Sequence, residues 1–376
     1  MNQYPTFNGL NVSSKFGICG LPIRLDTYKT CSFGCTYCFA NARKIMEFKK
    51  DLQIANLAQI ERVLDRVKTG NFAEDKFLET LVASGITWHC GGMSDPFQLI
   101  NEELKITNAA IDICNQYEVA ILFSTKSDTV HSADIRPDLH SFQLSVTNTL
   151  DRKDLEPNVP SFASRLKFYR SLKDAGFKVG IRIQPFIPNV ASLDILEAFH
   201  DADHFTLEGL KIVPQNKTQI EYITSTVKIP LSAFVNKGLY TLKDEYRREM
   251  YRPFISWLKQ HKKSYSVSDN DMRWEGNNDC CCGDRLIHKA TGFDTTAILR
   301  GATLEENEVY KKCKHCICKD LFTSNRCDFG KTVEEYFQSK TGKRNPASRR
   351  FQVSTAEQLE LFPLSETVSF MKESTS

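Results

Sequence analysis

Three cysteines near the start of the chain have a spacing that suits metal chemistry. Cys31, Cys35 and Cys38 form a C-x3-C-x2-C motif directly after a predicted strand. A loop of this kind can bind three irons of a [4Fe–4S] cube, with Gly34 permitting the tight backbone, and the fourth iron is left without a protein ligand. A catalytic metal centre keeps such an open position for its substrate. The spacing favours a catalytic iron–sulfur cluster, and a structural zinc site is the alternative.

A second group of cysteines lies in the last quarter of the chain. C-x2-C turns present two thiolates to one ion, so these residues predict a second metal site. Zinc and an auxiliary [4Fe–4S] cluster both accept four thiolates, and the sequence leaves that choice open. The predicted ligands are Cys281, Cys282, Cys313, Cys316, Cys318 and Cys327.

Composition is that of a folded protein from a reducing compartment. The chain has 376 residues, 41% hydrophobic and 25% charged, and its longest apolar runs are too short to span a bilayer. The N-terminus MNQYPTFNGLNVSSK lacks the basic and apolar regions of a signal peptide, so we expect a cytoplasmic protein. In that compartment thirteen cysteines indicate metal or redox chemistry. A net charge of +3 does not by itself predict a polyanionic partner.

Hydrophobic periodicity predicts how these cysteines are positioned. Short apolar runs alternate with amphipathic stretches, which indicates an α/β fold: a partial or full (β/α) barrel of six to seven units, with a small Cys-rich C-terminal metal-binding module. Barrel active sites lie at the C-terminal ends of the strands. Strands are predicted near 17–24, 86–91, 119–125, 142–147, 178–185, 205–212 and 264–268. Helices are predicted at Asn41 to Val67, Glu102 to Tyr117, Ser161 to Ala175 and Leu239 to Lys262. The predicted domains are a barrel over 1–270, the Cys-rich module over 271–335 and a flexible tail over 336–376.

The first cysteine motif resembles that of the radical S-adenosylmethionine (SAM) superfamily. The resemblance rests on the cysteine spacing, on Tyr37 before the last cysteine and on the position after the first strand. It implies an enzyme whose [4Fe–4S] cluster binds SAM at the open iron and reductively cleaves it to a 5′-deoxyadenosyl radical. It also implies an electron donor such as flavodoxin or ferredoxin.

Further segments resemble the spore photoproduct lyase-like branch of this superfamily, over about residues 17–215. The resemblance implies that Gly91 and Gly92 let the backbone approach the methionine end of SAM. Ser94 and Lys126 would then hold its carboxylate, and Ser145 would hydrogen-bond its ribose. The segments are Ser94 to Gln98, Ser124 to Ser127, Ser145 to Thr147, Glu156 to Pro160, Arg165, and Pro185 to Pro188.

The sequence departs from that branch at two positions. Gly92 stands where the branch has its hydrogen-donating cysteine, and Phe39 stands at the second tyrosine of a radical relay whose first tyrosine is Tyr37. Repair of thymine dimers by the mechanism of that branch is therefore not expected. On an extended strand Cys90 would face the same side as position 92, which makes it a candidate hydrogen donor. The alternative is that Cys90 is an ordinary core cysteine.

The tail contains a peptide that resembles a protein-binding motif. Gln358-Leu359-Glu360-Leu361-Phe362 is similar to the pentapeptide by which bacterial DNA polymerases and repair proteins bind the sliding clamp. An extended peptide can bury two leucines and a phenylalanine in preformed pockets while its glutamine fixes the register. The alternative is a segment that docks onto its own barrel. The basic run between Lys340 and Arg350 could contact phosphates.

Together these features predict a radical SAM enzyme that repairs or modifies DNA bases. A target base within a duplex would have to be flipped into the mouth of the barrel. Two alternatives remain open: a radical SAM enzyme that modifies RNA or a peptide with an auxiliary cluster, and a non-enzymatic, metal-stabilised DNA-binding protein.

Overall fold

Thirteen strands and eight α-helices are present in the part of the chain that the computed structural model describes, residues 4–13, 19–40, 51–72, 77–236, 238–269, 272–278 and 280–290. The strands are β1 (Thr6–Phe7), β2 (Leu10–Val12), β3 (Ile23–Leu25), β4 (Ile54–Ala55), β5 (Trp88–Cys90), β6 (Ile121–Thr125), β7 (Ser141–Ser145), β8 (Lys178–Phe186), β9 (His204–Gly209), β10 (Lys211–Ile212), β11 (Phe234–Asn236), β12 (Tyr240–Leu242) and β13 (Tyr265–Val267). The helices are α1 (Leu57–Lys68), α2 (Phe77–Ala83), α3 (Ile100–Leu104), α4 (Ile106–Gln116), α5 (Phe162–Asp174), α6 (Asp194–Ala198), α7 (Lys217–Ser225) and α8 (Asp244–Gln260).

The central sheet has eight strands in the order β13-β9-β8-β7-β6-β5-β3-β2. The seven strands from β3 to β13 pair in parallel, and β2 pairs antiparallel to β3. Each parallel strand follows its spatial neighbour in the chain, as in βα units wound around a barrel. The predicted α/β fold with a partial barrel is therefore confirmed. None of the described helices combines the length and the apolar character that crossing a bilayer requires.

Two predicted helices differ from those observed. The apolar periodicity of residues 41–67 predicted one helix, but Ile54–Ala55 pair with β1 and the helix begins after Asn56. The side chain of Asn56 accepts a hydrogen bond from the backbone of the first helical turn, as an N-cap does. Residues 102–117 form two helices, because the left-handed backbone of Lys105 (φ 53°) ends α3.

The strands alternate between an apolar outer face and a polar inner face. Along β7, Phe142 and Leu144 pack in the hydrophobic core between sheet and helices, while Gln143 and Ser145 face the barrel interior. Phe123 lies in the centre of that core, with its ring centroid 5.4 Å from that of Phe142. The polar side chains that strands bring together therefore lie inside the barrel.

Residues 280–286 fill part of this interior. The Ser266 hydroxyl donates to the Cys281 carbonyl (2.8 Å), and the Gln143 amide donates to the Cys282 carbonyl (2.9 Å). The hydroxyl of Ser141 donates to the carbonyl of Leu286. The described beginning of the predicted Cys-rich module thus packs within the barrel. The rest of that module, 291–335, and the tail, 336–376, lie outside the described residues.

A buried, neutral histidine makes the stability of the protein depend on pH. His140 is 2% exposed, its Nδ1 accepts from the Ile121 N–H (3.2 Å) and its Nε2 pairs with Asn115 (2.8 Å). Burial, and then Arg136, lowers its pKa to about 4. Because the folded pKa lies below that of the unfolded chain, its stabilisation is complete above about pH 6.5 and is lost as pH falls.

We therefore expect His140→Gln to be less stable than the parent protein at pH 7.5 but to lose less stability on acidification. At pH 5 the unfolded chain binds a proton at this histidine that the folded protein largely does not, which costs the parent on the order of 2 kcal/mol. Urea unfolding of both proteins at pH 7.5 and pH 5 measures the difference. An equal loss in the two proteins would show that folding does not shift the pKa of His140.

Candidate functional site

One cavity of about 200 Å³ lies at the C-terminal ends of the strands. Its position is the one that barrels use for their active sites. The cavity brings together every residue that the sequence resemblance assigned to the cluster and to SAM: Cys31, Cys35, Tyr37, Cys38, Gly91, Gly92, Ser94, Lys126 and Ser145. Their placement agrees with those assignments, and their roles stay predictions.

The cysteine loop follows β3 and is anchored by main-chain contacts. The Cys38 N–H donates to the Cys35 carbonyl (3.1 Å), and Gly34 adopts the left-handed conformation (φ 65°) that the turn requires. The Ser32 N–H donates to the side chain of Gln98 (2.5 Å), which lies in the loop after β5. The loop is therefore fixed to the neighbouring strand end before any metal binds.

The three thiols suit an iron–sulfur cube. Burial raises the pKa of Cys31 to about 12 and raises that of Cys35 further, so a bound cation is needed to hold them as thiolates. All three thiols line one cavity, and in a cube each thiolate would bind a different iron.

A buried carboxylate joins the cysteine loop to the barrel. Glu156 is 4% exposed and accepts hydrogen bonds from the Tyr37 hydroxyl and from the Thr147 hydroxyl (2.8 Å). Its oxygens also lie 3.0 Å from Lys126 Nζ and 3.6 Å from Arg165 Nη2. Burial acts to raise the pKa of Glu156, but the two cations and the hydrogen bonds outweigh it and lower the pKa to about 2. Glu156 is therefore a carboxylate at neutral pH.

Glycine forms one wall of the cavity. Gly91 has φ 98°, and a side chain there would place its Cβ 2.1 Å from the Ser124 carbonyl oxygen. At Gly92 a Cβ would lie 3.2 Å from Arg24 Nε. Close packing against Ser124 and Arg24 therefore favours glycine at both positions, and both glycines line the cavity with their backbone.

Asp95 fixes the end of β6, beside this wall. One carboxylate oxygen accepts from the Thr125 hydroxyl (2.7 Å) and the other accepts from the Lys126 N–H (2.6 Å). Burial raises the pKa of Asp95 to about 6 in spite of these bonds. Ser94 donates its hydroxyl to the Tyr28 carbonyl (2.6 Å), so its oxygen lone pairs remain as acceptors.

Cys90 does not line the cavity, which fits the alternative of an ordinary core cysteine, and its role as hydrogen donor stays a prediction. It is fully buried in the hydrophobic core, and burial raises the pKa of its thiol well above its usual range. The positive φ of Gly91 ends the strand alternation, so position 92 does not share a side with position 90. His89 lines the cavity instead, with Nε2 2.8 Å from the Ser124 hydroxyl.

The sequence did not assign a charged group at the far side of the cavity. Arg182 from β8, Glu208 from β9 and Lys211 from β10 all line it. Arg182 Nη2 lies 3.2 Å from Glu208, and Lys211 donates to the same carboxylate. Charged side chains at inward positions of otherwise apolar parallel strands were the signal in the sequence that could have identified them.

The predicted second metal site is described only in part. Cys281 and Cys282 are 6% and 4% exposed and lie in the barrel interior near Arg182. The other predicted ligands, Cys313, Cys316, Cys318 and Cys327, lie outside the described residues. The second site therefore stays a prediction.

The fold is similar to that of spore photoproduct lyase. The structure of that lyase complexed with dinucleoside spore photoproduct gives a TM-score of 0.51 at 18% identity and covers 66% of this chain and 76% of the lyase. A tyrosine-to-phenylalanine variant of the lyase gives a TM-score of 0.53 at 19% identity, and the match covers 70% of this chain and 80% of the lyase. Streptococcus suis SuiB bound to S-adenosylmethionine gives a TM-score of 0.41 at 11% identity, and the match covers 90% of this chain and 70% of SuiB. No protein-family profile and no curated protein sequence match the chain. The fold that the sequence resemblance implied is therefore confirmed.

We expect Glu156→Gln to destabilise the protein by roughly 3–5 kcal/mol, because it leaves Lys126 and Arg165 as buried cations without a counter-charge. Chemical denaturation measures the change. Glu118→Gln is the matched control, since Glu118 pairs with Arg136 at the surface (2.5 Å) and its loss should change stability little. Equal effects of the two substitutions would show that the buried carboxylate does not stabilise the site.

Proposed function

We propose that this protein is a radical SAM enzyme that repairs or modifies a DNA base. The observation that carries the proposal is the single cavity in which Cys31, Cys35 and Cys38 face the glycine wall and the polar strand ends. Among the described residues, three thiols and no fourth line this cavity, which fits a cluster with an open iron, and glycine backbone beside them suits a ligand that must approach closely. No other reading of the three-cysteine loop uses all of these features.

The cluster and SAM would together supply a 5′-deoxyadenosyl radical, which abstracts a hydrogen atom from substrate. The chain's own residues would bind the cluster, orient SAM and shield both from water. The three thiolates would hold the cluster, while Glu156 keeps Lys126 at the cavity wall. Ser145 offers a hydroxyl group to SAM, and Ser94, whose proton goes to the Tyr28 carbonyl, offers an oxygen that accepts from the SAM ammonium group. The apolar rings of Phe33 and Phe39, which also line the cavity, help to exclude water.

Two observations favour DNA as the substrate over RNA or a peptide. The fold is similar to that of a lyase whose structure contains a dinucleoside photoproduct. The tail carries the clamp-like pentapeptide Gln358 to Phe362. A protein held at a sliding clamp is brought to duplex DNA, where a target base would be flipped into the cavity.

We expect anaerobically reconstituted protein, given SAM and dithionite, to form 5′-deoxyadenosine. Cys31→Ala, Cys35→Ala and Cys38→Ala should each lower its formation by at least about a hundredfold and remove about four iron atoms per chain, because two thiolates do not retain the cube. Chromatography of the nucleoside and analysis of iron, sulfide and zinc measure both changes.

Cys19→Ser is the matched control for these variants. Cys19 is outside the cavity, and its thiol donates to the Leu21 carbonyl (3.4 Å), a bond that serine can replace. It should retain iron and nucleoside formation. Parent protein that binds zinc at these cysteines, or that binds iron but forms no 5′-deoxyadenosine, would contradict the proposal. Iron in excess of one cube per chain, or bound zinc, would identify the metal of the predicted second site.

We propose further that Gln358 to Phe362 binds the bacterial sliding clamp. Replacing Leu361 and Phe362 by Ala in the full-length chain should weaken binding at least tenfold, because the two side chains supply the buried apolar surface. Glu360→Ala, at a position the motif leaves unspecified, is the control. Surface plasmon resonance on an immobilised clamp measures the affinities, and no binding by the parent chain would remove this support for DNA.

A further inference from the structure

The charged group on strands β8 to β10 contains two cations and one carboxylate. Both Arg182 and Lys211 contact Glu208, and the three side chains are 11%, 21% and 7% exposed. Among the described side chains that line the cavity, these two positive charges share one negative charge. A buried charge in excess is costly unless a bound group neutralises it.

The guanidinium of Arg182 is held in place, and the N–H donors of Lys211 are only partly used. Arg182 donates through Nε to Gln184 and through Nη1 to Gln143 (3.1 Å), which fixes the plane of its guanidinium. A lysine ammonium has three N–H donors. Among the described residues, the hydrogen bond from Lys211 is to Glu208. Lys211 thus keeps donors for a ligand in the cavity that it lines.

The carboxylate of Asp269 does not line the cavity. It pairs with Arg247 (3.2 Å) and accepts from the Tyr251 hydroxyl (2.7 Å), and Arg247 also pairs with Asp244 (2.5 Å). Within the described cavity lining, Glu208 is the carboxylate that Arg182 and Lys211 share.

The second charged group of the cavity has a different neighbour. Lys126 and Arg165 share Glu156, again with one positive charge in excess, but Lys126 acts on the Cys35 thiol. The thiolates of a bound cluster would therefore neutralise that excess. Among the described residues, the contacts of Arg182 and Lys211 are to Glu208, Gln143 and Gln184 and not to the cysteine loop.

We propose that Arg182 and Lys211 bind a phosphodiester of a nucleic-acid substrate while its base occupies the cavity. The inference rests on the proposed function and names the part of the substrate that the site recognises. Both side chains carry positive charge toward the cavity, and the ammonium of Lys211 can donate its remaining N–H groups to the oxygens of a phosphate. The carboxylate of SAM has related chemistry, but the residues assigned to it, Ser94 and Lys126, lie at the ends of other strands.

The test measures binding of the dinucleotide TpT and of its uncharged methylphosphonate analogue to the reconstituted holoenzyme with SAM. The two probes differ in charge and hardly in size. We expect TpT to bind at least about tenfold more tightly, since a hydrogen bond to a charged group is worth more than one to a neutral group. Lys211→Met should reduce this preference to near unity, and Lys211→Arg should retain most of it.

Lys173→Met is the matched control, because Lys173 pairs with one carboxylate, Asp203, at 2.8 Å outside the cavity. It should keep the full preference for TpT. Thermal unfolding of each variant separates lost recognition from lost structure. Equal binding of the two probes by the parent holoenzyme, or no binding of either, overturns the proposal.

A separate measurement distinguishes the source of the anion. Equilibrium dialysis with labelled SAM should give similar affinities for the parent and for Lys211→Met. A large loss of SAM affinity with an unchanged TpT preference would assign the anion to SAM and overturn the proposal. Failure of the proposed function appears differently, as absence of 5′-deoxyadenosine from the parent protein, whereas failure of this inference leaves that product unchanged.

Discussion

The buried carboxylate of Glu156 is the interaction on which the arrangement of the site depends. It accepts hydrogen bonds from Tyr37 in the cysteine loop and from Thr147 after β7, and it pairs with Lys126 after β6 and with Arg165 on α5. One charged group thus joins four segments that are distant in sequence. In an apolar setting such a network is stable when every member is satisfied, and removal of one member exposes the others to the full cost of burial. The loop that would hold the cluster is therefore fixed by electrostatics more than by apolar packing.

Much of the fold could be predicted because it follows from local periodicity. All seven predicted strands are present, since apolar runs of this length, bounded by amphipathic stretches, have few other stable arrangements. The residues that line the cavity could be predicted for a related reason, because residues that follow different strands of a parallel sheet meet at one edge. Helix starts were less predictable, because they depend on single capping residues such as Asn56, whose effect competes with continuous apolar periodicity.

Two features of the interior could not be predicted from periodicity. Whether Cys90 and position 92 face the same side depends on the backbone of Gly91, and a positive φ cannot be deduced from strand alternation. The placement of residues 280–286 inside the barrel depends on polar side chains such as Ser266 and Gln143, which donate to carbonyls of that segment. Three consecutive cysteines suggested a separate metal module, but hydrogen bonds from distant strands hold them within the barrel. Such long-range pairing leaves no local pattern in the sequence.

The polar interior explains why this barrel can hold charges that an apolar core would exclude. Burial lowers the pKa of His89 to about 3, and Arg182 and Arg24 act in the same direction, so this cavity residue stays neutral while cations lie beside it. The cations that line the described cavity are Lys126, Arg182 and Lys211, and positive groups of this kind attract anions. Each is positioned by a buried carboxylate: Glu156 contacts Lys126 and Arg165, and Glu208 contacts Arg182 and Lys211. The proposed cluster and the proposed phosphodiester would therefore both bind beside cations that the same kind of ion pair holds in place.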